Sequence, residues 1–349
     1  MNTRREPGPP RPPDRPPGPA PRILLTGATG FVGRRLVRHL RAAGHQVTAL
    51  VRGTSRTHAL TAAGVAVAVG DLGTGAGLRA AAEAADCVIH LAGTVSSRTA
   101  RGYWRTNADG TRRLADTLAS LPAPPRLVLC SSLAAAGPSP DGRPRTEDQP
   151  AAPVSHYGRS KLAGEQAVRE VSDALHAVVL RPPIVYGPGD PAFLPAVLAM
   201  VRAGVAVQAG RVPGRYSLLH VDDLCAALTA ACERGRPLRP ADPVSGVHYL
   251  SDGAEHTWDA ICRTVATTLG RGRPPLVTVP LAAARAVAAL AEAATLPSGR
   301  LPALTRDKVR EMRHPVWTCS GEYGRQALEL PPPLPFDVGV ARYLAHPTR

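Results

Sequence analysis

The chain has 349 residues, of which 44% are hydrophobic and 4% aromatic, and its formal net charge is +15. This apolar fraction excludes a globally disordered chain, and arginines scattered without interleaved aromatic residues argue against a nucleic-acid partner. Six cysteines with no CxxC or metal-ligand spacing predict free thiols in the reducing cytoplasm and no metal site. The most apolar long stretch, residues 281–296, contains Arg285 and Glu292. It is too short and too charged for a membrane span and predicts an amphipathic helix instead.

A proline-rich segment at residues 1–21 predicts a disordered or polyproline-like tail. From residue 22 onward, short apolar segments alternate with alanine-rich helical segments, which predicts βαβ units. We therefore expect an α/β fold with a doubly wound parallel sheet of the Rossmann type. The predicted strands lie at residues 22–25, 46–51, 65–69, 87–91, 126–130, 177–180 and 247–250.

A glycine-rich turn connects the first predicted strand to the first predicted helix. Gly27 allows a tight turn, Gly30 lets backbone amides approach a pyrophosphate, and Gly33 lets the helix pack closely on the strand. Phe31 and Val32 lie between the last two glycines, at the start of the helix. In this strand-turn-helix context the motif predicts a dinucleotide whose phosphates are stabilised by the helix N-terminus.

The residues after the second strand bear on the choice between NAD and NADP. An NAD site places a carboxylate about 20 residues after the glycines, where it binds the ribose 2′-hydroxyl. Between Arg34 and Gly70 there is no Asp or Glu, and the second strand ends at Val51 and is followed by Arg52 and, further on, Arg56. Because guanidinium groups match phosphate geometry, this pattern favours NADP over NAD. The alternative is that Arg52 is one more solvated arginine.

A tyrosine and a lysine four residues apart form the candidate catalytic pair. Tyr157 and Lys161 share one face of a predicted helix, and a cation beside a phenol favours the phenolate, so that the pair can exchange a proton near neutral pH. Ser132 follows an apolar strand, 25 residues before Tyr157, and Asn107 lies 25 residues before Ser132. Ser132 either takes part in catalysis or caps a turn at the strand end.

With these motifs in order, the chain resembles the extended short-chain dehydrogenase/reductase family, of the epimerase/dehydratase type, from about residue 22 to the C-terminus. The resemblance implies a Rossmann domain at residues 22–185 and 220–252 and a smaller substrate domain at residues 186–219 and 253–349. The motifs that carry it are TGATGFVG at 26–33, Asp71-Leu72, His90-Leu91-Ala92-Gly93, Asn107-Ala108-Asp109-Gly110-Thr111, Arg181-Pro182-Pro183-Ile184-Val185-Tyr186-Gly187-Pro188 and His220-Val221-Asp222-Asp223-Leu224.

The family's roles transfer to the matching positions as expectations. Tyr157 would be the general acid/base, Lys161 would lower its pKa and hold the nicotinamide ribose, and Ser132 would hydrogen-bond the substrate oxygen. Asn107 would support the active-site geometry or a proton relay. The expected dinucleotide contacts are Gly27, Gly30, Phe31, Val32, Gly33, Arg52, Asp71, Leu72, Leu91, Ala92, Gly93, Tyr157, Lys161, Pro183 and Ile184.

The substrate is less constrained by the sequence. Tyr216 stands where sugar-nucleotide enzymes of the family carry an arginine, with Arg215 one residue earlier. This pattern resembles the branch of 3-beta-hydroxysteroid dehydrogenases and dihydroflavonol reductases. We expect interconversion of a ketone and a secondary alcohol on a small hydrophobic molecule, in a protein that forms a homodimer as relatives commonly do. The alternatives are a nucleotide-sugar epimerase with tightly held NAD, and a non-catalytic NAD(P)-binding subunit.

Overall fold

The structure is a computed structural model, and it describes residues 20–296, 301–302 and 304–345. The predicted tail at residues 1–21 lies outside the described residues except for Ala20 and Pro21.

Strands and helices alternate through the first half of the chain, as the apolar segments predict. The strands are β1 (Arg22–Thr26), β2 (Gln46–Val51), β3 (Ala66–Val69), β4 (Cys87–His90), β5 (Arg126–Cys130), β6 (Ala177–Arg181), β7 (Ile184–Tyr186), β8 (Ala206–Ala209), β9 (Arg215–Tyr216), β10 (Leu218–His220), β11 (Val247–Tyr249), β12 (His256–Thr257), β13 (Leu276–Val279) and β14 (Val316–Trp317).

The helices are α1 (Phe31–Ala42), α2 (His58–Ala62), α3 (Leu78–Ala82), α4 (Ala100–Trp104), α5 (Thr111–Ala119), α6 (Leu133–Ala136), α7 (His156–Glu170), α8 (Phe193–Arg202), α9 (Val221–Ala230), α10 (Trp258–Thr268), α11 (Leu281–Ala294), α12 (Arg306–Met312), α13 (Glu322–Ala327) and α14 (Phe336–Ala345). A π-helical turn, Arg105–Gly110, joins α4 to α5.

The central sheet has seven strands in the order β11-β6-β5-β4-β1-β2-β3, and every pair is parallel. All seven predicted strands lie in this sheet, so the prediction of a doubly wound α/β fold is confirmed. The chain leaves β1 towards β2 on one side and returns to β4 on the other. This reversal opens a crevice at the carboxyl ends of β1 and β4, where ligands bind in such folds.

Two apolar layers cover the sheet because alternate residues of each strand point to opposite faces. Ile23 and Leu25 of β1 belong to the layer that includes α1 and α9, whereas Leu24 belongs to the layer that includes α3, α5 and α7. Both faces of the sheet are therefore buried, which explains why its strands are nearly continuous apolar runs.

A third apolar cluster lies among the C-terminal elements. It joins side chains from β7, α8, α10 and α14, including Tyr186 and Phe336, whose rings meet edge to face with centroids 5.1 Å apart. Leu328, just after α13, belongs instead to the sheet layer of α1 and α9. The predicted limits of the two domains stay a prediction.

No helix in the described part of the chain combines the length and the apolarity needed to cross a bilayer. The cytoplasmic location and the homodimer stay predictions.

Candidate active site

The carboxyl edge of the sheet gathers the predicted site residues. The glycine turn follows β1, Arg52 follows β2, and the Leu91-Ala92-Gly93 segment follows β4. Ser132 comes shortly after β5, while Asp71 and Leu72 come shortly after β3. Since the strands are parallel, all these segments lie at the same edge of the sheet, the one formed by the carboxyl ends of the strands. Pro183 and Ile184, which follow β6, lie at this edge as well.

The glycine turn has room for backbone only. Gly27 has a φ of 73°, and a Cβ there would lie 2.7 Å from the Ala92 nitrogen. A Cβ on Gly33 would lie 2.1 Å from the Gly27 carbonyl oxygen, so α1 could not pack this closely with any other residue. Gly30 precedes α1 and provides no side-chain cap, so the first backbone N–H groups of the helix, at Phe31 and Val32, have no side-chain acceptor from the N-cap residue, and a helix N-terminus of this kind can bind an anion. These features fit a dinucleotide pyrophosphate.

Two predicted contacts lie on the β2–β3 side of the crevice. The Arg52 side chain is exposed and pairs with no carboxylate in the described residues. Asp71 Oδ1 accepts hydrogen bonds from the N–H groups of Gly73 (2.5 Å) and Thr74 (3.1 Å), so the carboxylate shapes its own loop. Leu72 is fixed beside it, because Arg113 donates a hydrogen bond to the Leu72 carbonyl.

Ser132, Tyr157 and Lys161 converge at the end of β5. The Ser132 hydroxyl lies close enough to the Tyr157 phenol to lower its pKa. The Ser132 hydroxyl also accepts from the Ala134 N–H at 3.1 Å and caps α6, so the capping role is present together with the contact to Tyr157. Lys161 Nζ donates to the Cys130 carbonyl at 2.7 Å, and a Cβ on Gly93 would lie 3.7 Å from the same Nζ. The lysine is thus held between β5 and the loop that follows β4.

The electrostatics of the pair differ from the expectation that Lys161 lowers the pKa of Tyr157. Burial raises the pKa of the phenol well above its usual range, and the hydrogen bond from Ser132 only partly offsets this. Burial also lowers the pKa of Lys161, while Cys130 and Glu165 oppose that change. The physical reason is that the ammonium group binds the Cys130 carbonyl rather than the phenol, so desolvation dominates at Tyr157. The chain's own residues therefore raise the pKa of Tyr157 rather than lower it.

Asn107 lies in the π-helical turn, a local distortion that is frequent at functional sites. Its Oδ1 accepts from the Thr94 N–H at 2.7 Å, and its Nδ2 donates to the Thr94 carbonyl and to the Ser160 hydroxyl, both at 2.9 Å. Ser160 in turn donates to the Tyr157 carbonyl at 2.7 Å. Asn107 thereby links the loop after β4 to the helix that carries Tyr157 and Lys161.

The N-terminus of α7 is held by residues that the sequence analysis did not identify. The Ser155 hydroxyl accepts from the Gly158 N–H and donates to Glu311 Oε1, both at 2.9 Å. Asp307 accepts from the His156 N–H (2.9 Å) and the Tyr157 N–H (3.1 Å). Asp307 and Glu311 lie on α12, about 150 residues away in sequence, and no local pattern predicts that α12 meets α7.

A cleft of about 680 Å³ adjoins this helix end. Tyr103 and His156 line it, and the ring of Tyr103 lies 6.1 Å from that of Tyr157, centroid to centroid. The opposite walls are α11 and α12. The cleft thus lies between these two helices and Tyr103, the residue whose ring neighbours the candidate catalytic tyrosine.

His90 has a structural environment. Its ring nitrogens lie 2.6 Å from Thr26 Oγ1 and 3.0 Å from Thr111 Oγ1, and burial lowers its pKa to about 3. A neutral imidazole between two hydroxyl groups ties β4 to β1 and α5. His220 is likewise buried, and its ring meets that of Tyr186 edge to face at 5.3 Å.

Comparison with known proteins places these features in a family. The family model described as NAD dependent epimerase/dehydratase matches residues 23–243. A ceramide reductase from Caulobacter vibrioides is 35% identical over 300 residues, which cover 85% of this chain and 86% of that protein. A 4-hydroxy-2-methyl-3-oxo-4-farnesyl-3,4-dihydroquinoline-1-oxide ketoreductase from Stigmatella aurantiaca is 30% identical over 295 residues, 81% of this chain and 84% of that protein.

A solved structure extends the similarity to the fold as a whole. The dTDP-glucose 4,6-dehydratase from Bacillus anthracis, in complex with NAD, superposes with a TM-score of 0.72 at 18% identity. The match covers 93% of this chain and 96% of that one. The chain therefore belongs to the NAD-dependent epimerase/dehydratase family, within the extended short-chain dehydrogenases/reductases, and is an NAD(P)-dependent oxidoreductase.

Proposed function

We propose that this enzyme reduces a ketone on a hydrophobic molecule with NADPH, using Ser132, Tyr157 and Lys161. The observation that carries the proposal is the contact of the Ser132 hydroxyl with the Tyr157 phenol, which lowers the pKa of that phenol, at the carboxyl edge of the sheet where Lys161 is also held. A substrate oxygen that replaces this contact would accept hydrogen bonds from both hydroxyl groups. Two donors on one oxygen polarise a carbonyl and stabilise the negative charge that develops there.

Tyr157 is the proton donor when the reaction runs in the reductive direction. A buried phenol that holds its proton at neutral pH is suited to donate it to the oxygen of the reduced carbonyl. When bound, NADPH supplies the hydride that adds to the carbonyl carbon. Tyr157 supplies the proton, so that the C=O group becomes CH–OH and the phenolate is left to regain a proton from solvent. Lys161 stabilises that phenolate electrostatically, and Asn107 positions α7.

The choice of NADPH rests on Arg52. Its exposed guanidinium follows β2 and has no carboxylate partner among the described residues, and no Asp or Glu occurs between Arg34 and Gly70. The cofactor preference is tested by fluorescence titration with NADPH and NADH of wild type, Arg52→Ala and a control variant, Arg202→Ala. Arg202 is an exposed arginine on α8. The proposal expects a preference for NADPH that only Arg52→Ala removes. Equal binding of NADH by wild type, unchanged in Arg52→Ala, would contradict it.

The hydrophobic substrate is supported by the relatives. Ceramide is a lipid, and the second relative acts on a ketone whose ring carries a farnesyl chain, so both named molecules are large and apolar. The two relatives align over more than four fifths of this chain. A panel of long-chain methyl ketones and keto lipids, followed by NADPH absorbance, tests this class. Turnover of small polar ketones alone would contradict it.

The nucleotide-sugar epimerase alternative has less support. Arg215, the residue nearest to the family's diphosphate-binding arginine, pairs with Glu255 at 3.1 Å and donates to the Gly142 carbonyl at 2.5 Å. Tyr216 packs against Trp258 in the third apolar cluster. An epimerase would leave the total amount of reduced cofactor unchanged, whereas the proposed reductase consumes one NADPH for each ketone.

A further inference from the structure

Helix α11 is apolar on the side that faces away from the protein. Only Ala284 and Ala288 of this helix are buried, and its exposed residues other than Arg285 are alanines, Val287 and Leu290. Leu290 is 71% exposed and Val287 is 56% exposed, and the two lie three residues apart on one side of the helix. An exposed helix normally carries charged residues on its outward side. We call these outward residues the apolar face of α11.

The opposite side of α11 is firmly attached. Ala284 and Ala288 pack against Val309 of α12. Arg306 pairs with Glu292 at 2.7 Å, and Arg98 donates to the Glu292 carbonyl at 2.9 Å. The helix is therefore fixed by one side, and its apolar face is presented to the surroundings without any rearrangement of the protein.

The cleft beside α11 is rich in arginine. Arg285 and Arg313 line it, are exposed, and pair with no carboxylate in the described part of the chain. The two acidic residues of the cleft are already neutralised, because Glu292 pairs with Arg306 and Asp307 accepts from an arginine of its own helix at 3.0 Å. An apolar helix face therefore borders surplus positive charge, and apolar residues next to cations are the two features by which proteins bind an anionic membrane surface.

We propose that the apolar face of α11 docks on the surface of a bilayer that contains anionic lipids, and that an apolar ketone from that bilayer enters by the adjoining cleft, which reaches Tyr103 beside Tyr157. Leu290 and Val287 would enter the boundary between headgroups and acyl chains, while Arg285 and Arg313 would bind the headgroup phosphates. The route for the ketone rests on the proposed function; the docking itself does not.

Charge complementarity favours this occupant over a second copy of the chain. With a net charge of +15 and unpaired arginines beside α11, two copies joined through this face would bring like charges together. An anionic lipid surface attracts the same arginines. A single partner would then bury the exposed leucine and valine and also pair with the guanidinium groups.

The test is sedimentation of the full chain with unilamellar vesicles of phosphatidylcholine, with and without phosphatidylglycerol. We expect binding to the anionic vesicles that weakens about tenfold or more in Leu290→Glu. Each of Arg285→Ala and Arg313→Ala should weaken it about fivefold. The matched control is Val338→Glu, which places the same charge at a valine that is 40% exposed on α14 and should leave binding unchanged. NADPH binding by every variant verifies folding.

Several results would overturn the docking proposal. The first is that the wild-type protein stays in solution when anionic vesicles are sedimented, and the second is that the Leu290→Glu variant binds these vesicles as well as wild type does. The third is that the wild-type protein is a dimer and that Leu290→Glu dissociates it, because the face would then belong to the contact with a second copy. A failure of the docking proposal is distinguished from a failure of the proposed function by measuring NADPH consumption with a water-soluble ketone. Leu290→Glu should retain that activity and lose only the activity on a long-chain ketone embedded in vesicles. Vesicle binding without any ketone reduction would contradict the proposed function and leave the docking intact.

Discussion

Removal of the Asp307 carboxylate should loosen the helix that carries the candidate catalytic tyrosine. Asp307 accepts from the first N–H groups of α7, at His156 (2.9 Å) and Tyr157 (3.1 Å). Asp307→Ala would leave both donors unpaired at a partly buried helix end. Loss of a helix N-terminal cap costs about 1 kcal/mol, and loss of a carboxylate from the positive end of the helix dipole costs about another 1 kcal/mol in a partly buried setting. We therefore expect the free energy of unfolding to fall by about 2 kcal/mol.

The assay combines urea unfolding with steady-state kinetics. Asp307→Asn keeps one acceptor oxygen and should lose about half as much stability as Asp307→Ala. The control Asp337→Ala removes an exposed carboxylate from the first turn of α14 and should change stability by less than about 0.5 kcal/mol. Because Asp307 acts through the position of Tyr157, kcat should fall while the Kd of NADPH changes little. An Asp307→Ala variant with unchanged stability and kcat would refute this reasoning.

Three further predictions concern the sheet edge. Gly33→Ala places a Cβ 2.1 Å from the Gly27 carbonyl oxygen, so NADPH binding should be lost in a fluorescence titration; binding within twofold of wild type would contradict the proposed cradle. Burial lowers the pKa of His90 to about 3, so between that pH and its ordinary value of about 6.5 only the unfolded chain binds the proton. The free energy of unfolding should therefore fall as the pH falls through this window, by up to about 1.4 kcal/mol per pH unit. The measurement is the free energy of unfolding as a function of pH for wild type and His90→Asn, and equal slopes of the two curves would exclude this contribution. The ultraviolet difference titration of wild type against Tyr157→Phe should show a phenol midpoint above the usual value of about 10, and a lower midpoint would mean that Lys161 outweighs burial.

Much of the fold could be predicted because local patterns determine it. The seven apolar segments became the seven strands of the central sheet, since a strand buried on both faces requires a short continuous apolar run. The glycine turn was equally predictable, because Gly27 and Gly33 satisfy steric constraints that no other residue can meet. The sequence also identified β5 as the strand followed by Ser132.

The interactions between distant segments could not be predicted. Nothing near Asp307 in the sequence indicates that it meets α7, and the contact of Tyr103 with Tyr157 depends on the path of the loop after β4. The spacing of Tyr157 and Lys161 predicted a shared helix face but not the hydrogen bond of the lysine to Cys130. The balance between burial and charge at the phenol depends on such contacts, and so the direction of its pKa shift differed from the expectation.

The outward side of α11 illustrates the same limit. Its composition predicts an amphipathic helix, yet the buried side consists of alanines and the larger apolar residues Val287 and Leu290 face outward. Periodicity identifies an apolar stripe but not the partner that covers it. The attachment of the helix through Ala284 and Ala288 to α12 became evident only from the packing.

The most direct test of the central claim is the transfer of deuterium from NADPH that is deuterated at the transferable position of the nicotinamide. The enzyme is incubated with this cofactor and the panel of long-chain ketones and keto lipids, and the alcohol is analysed by mass spectrometry. We predict an alcohol that carries one deuterium for each NADPH consumed, and no such product with Tyr157→Phe, although that variant still binds NADPH. An unchanged pool of NADPH with every ketone of the panel, or undiminished transfer by Tyr157→Phe, would contradict the account.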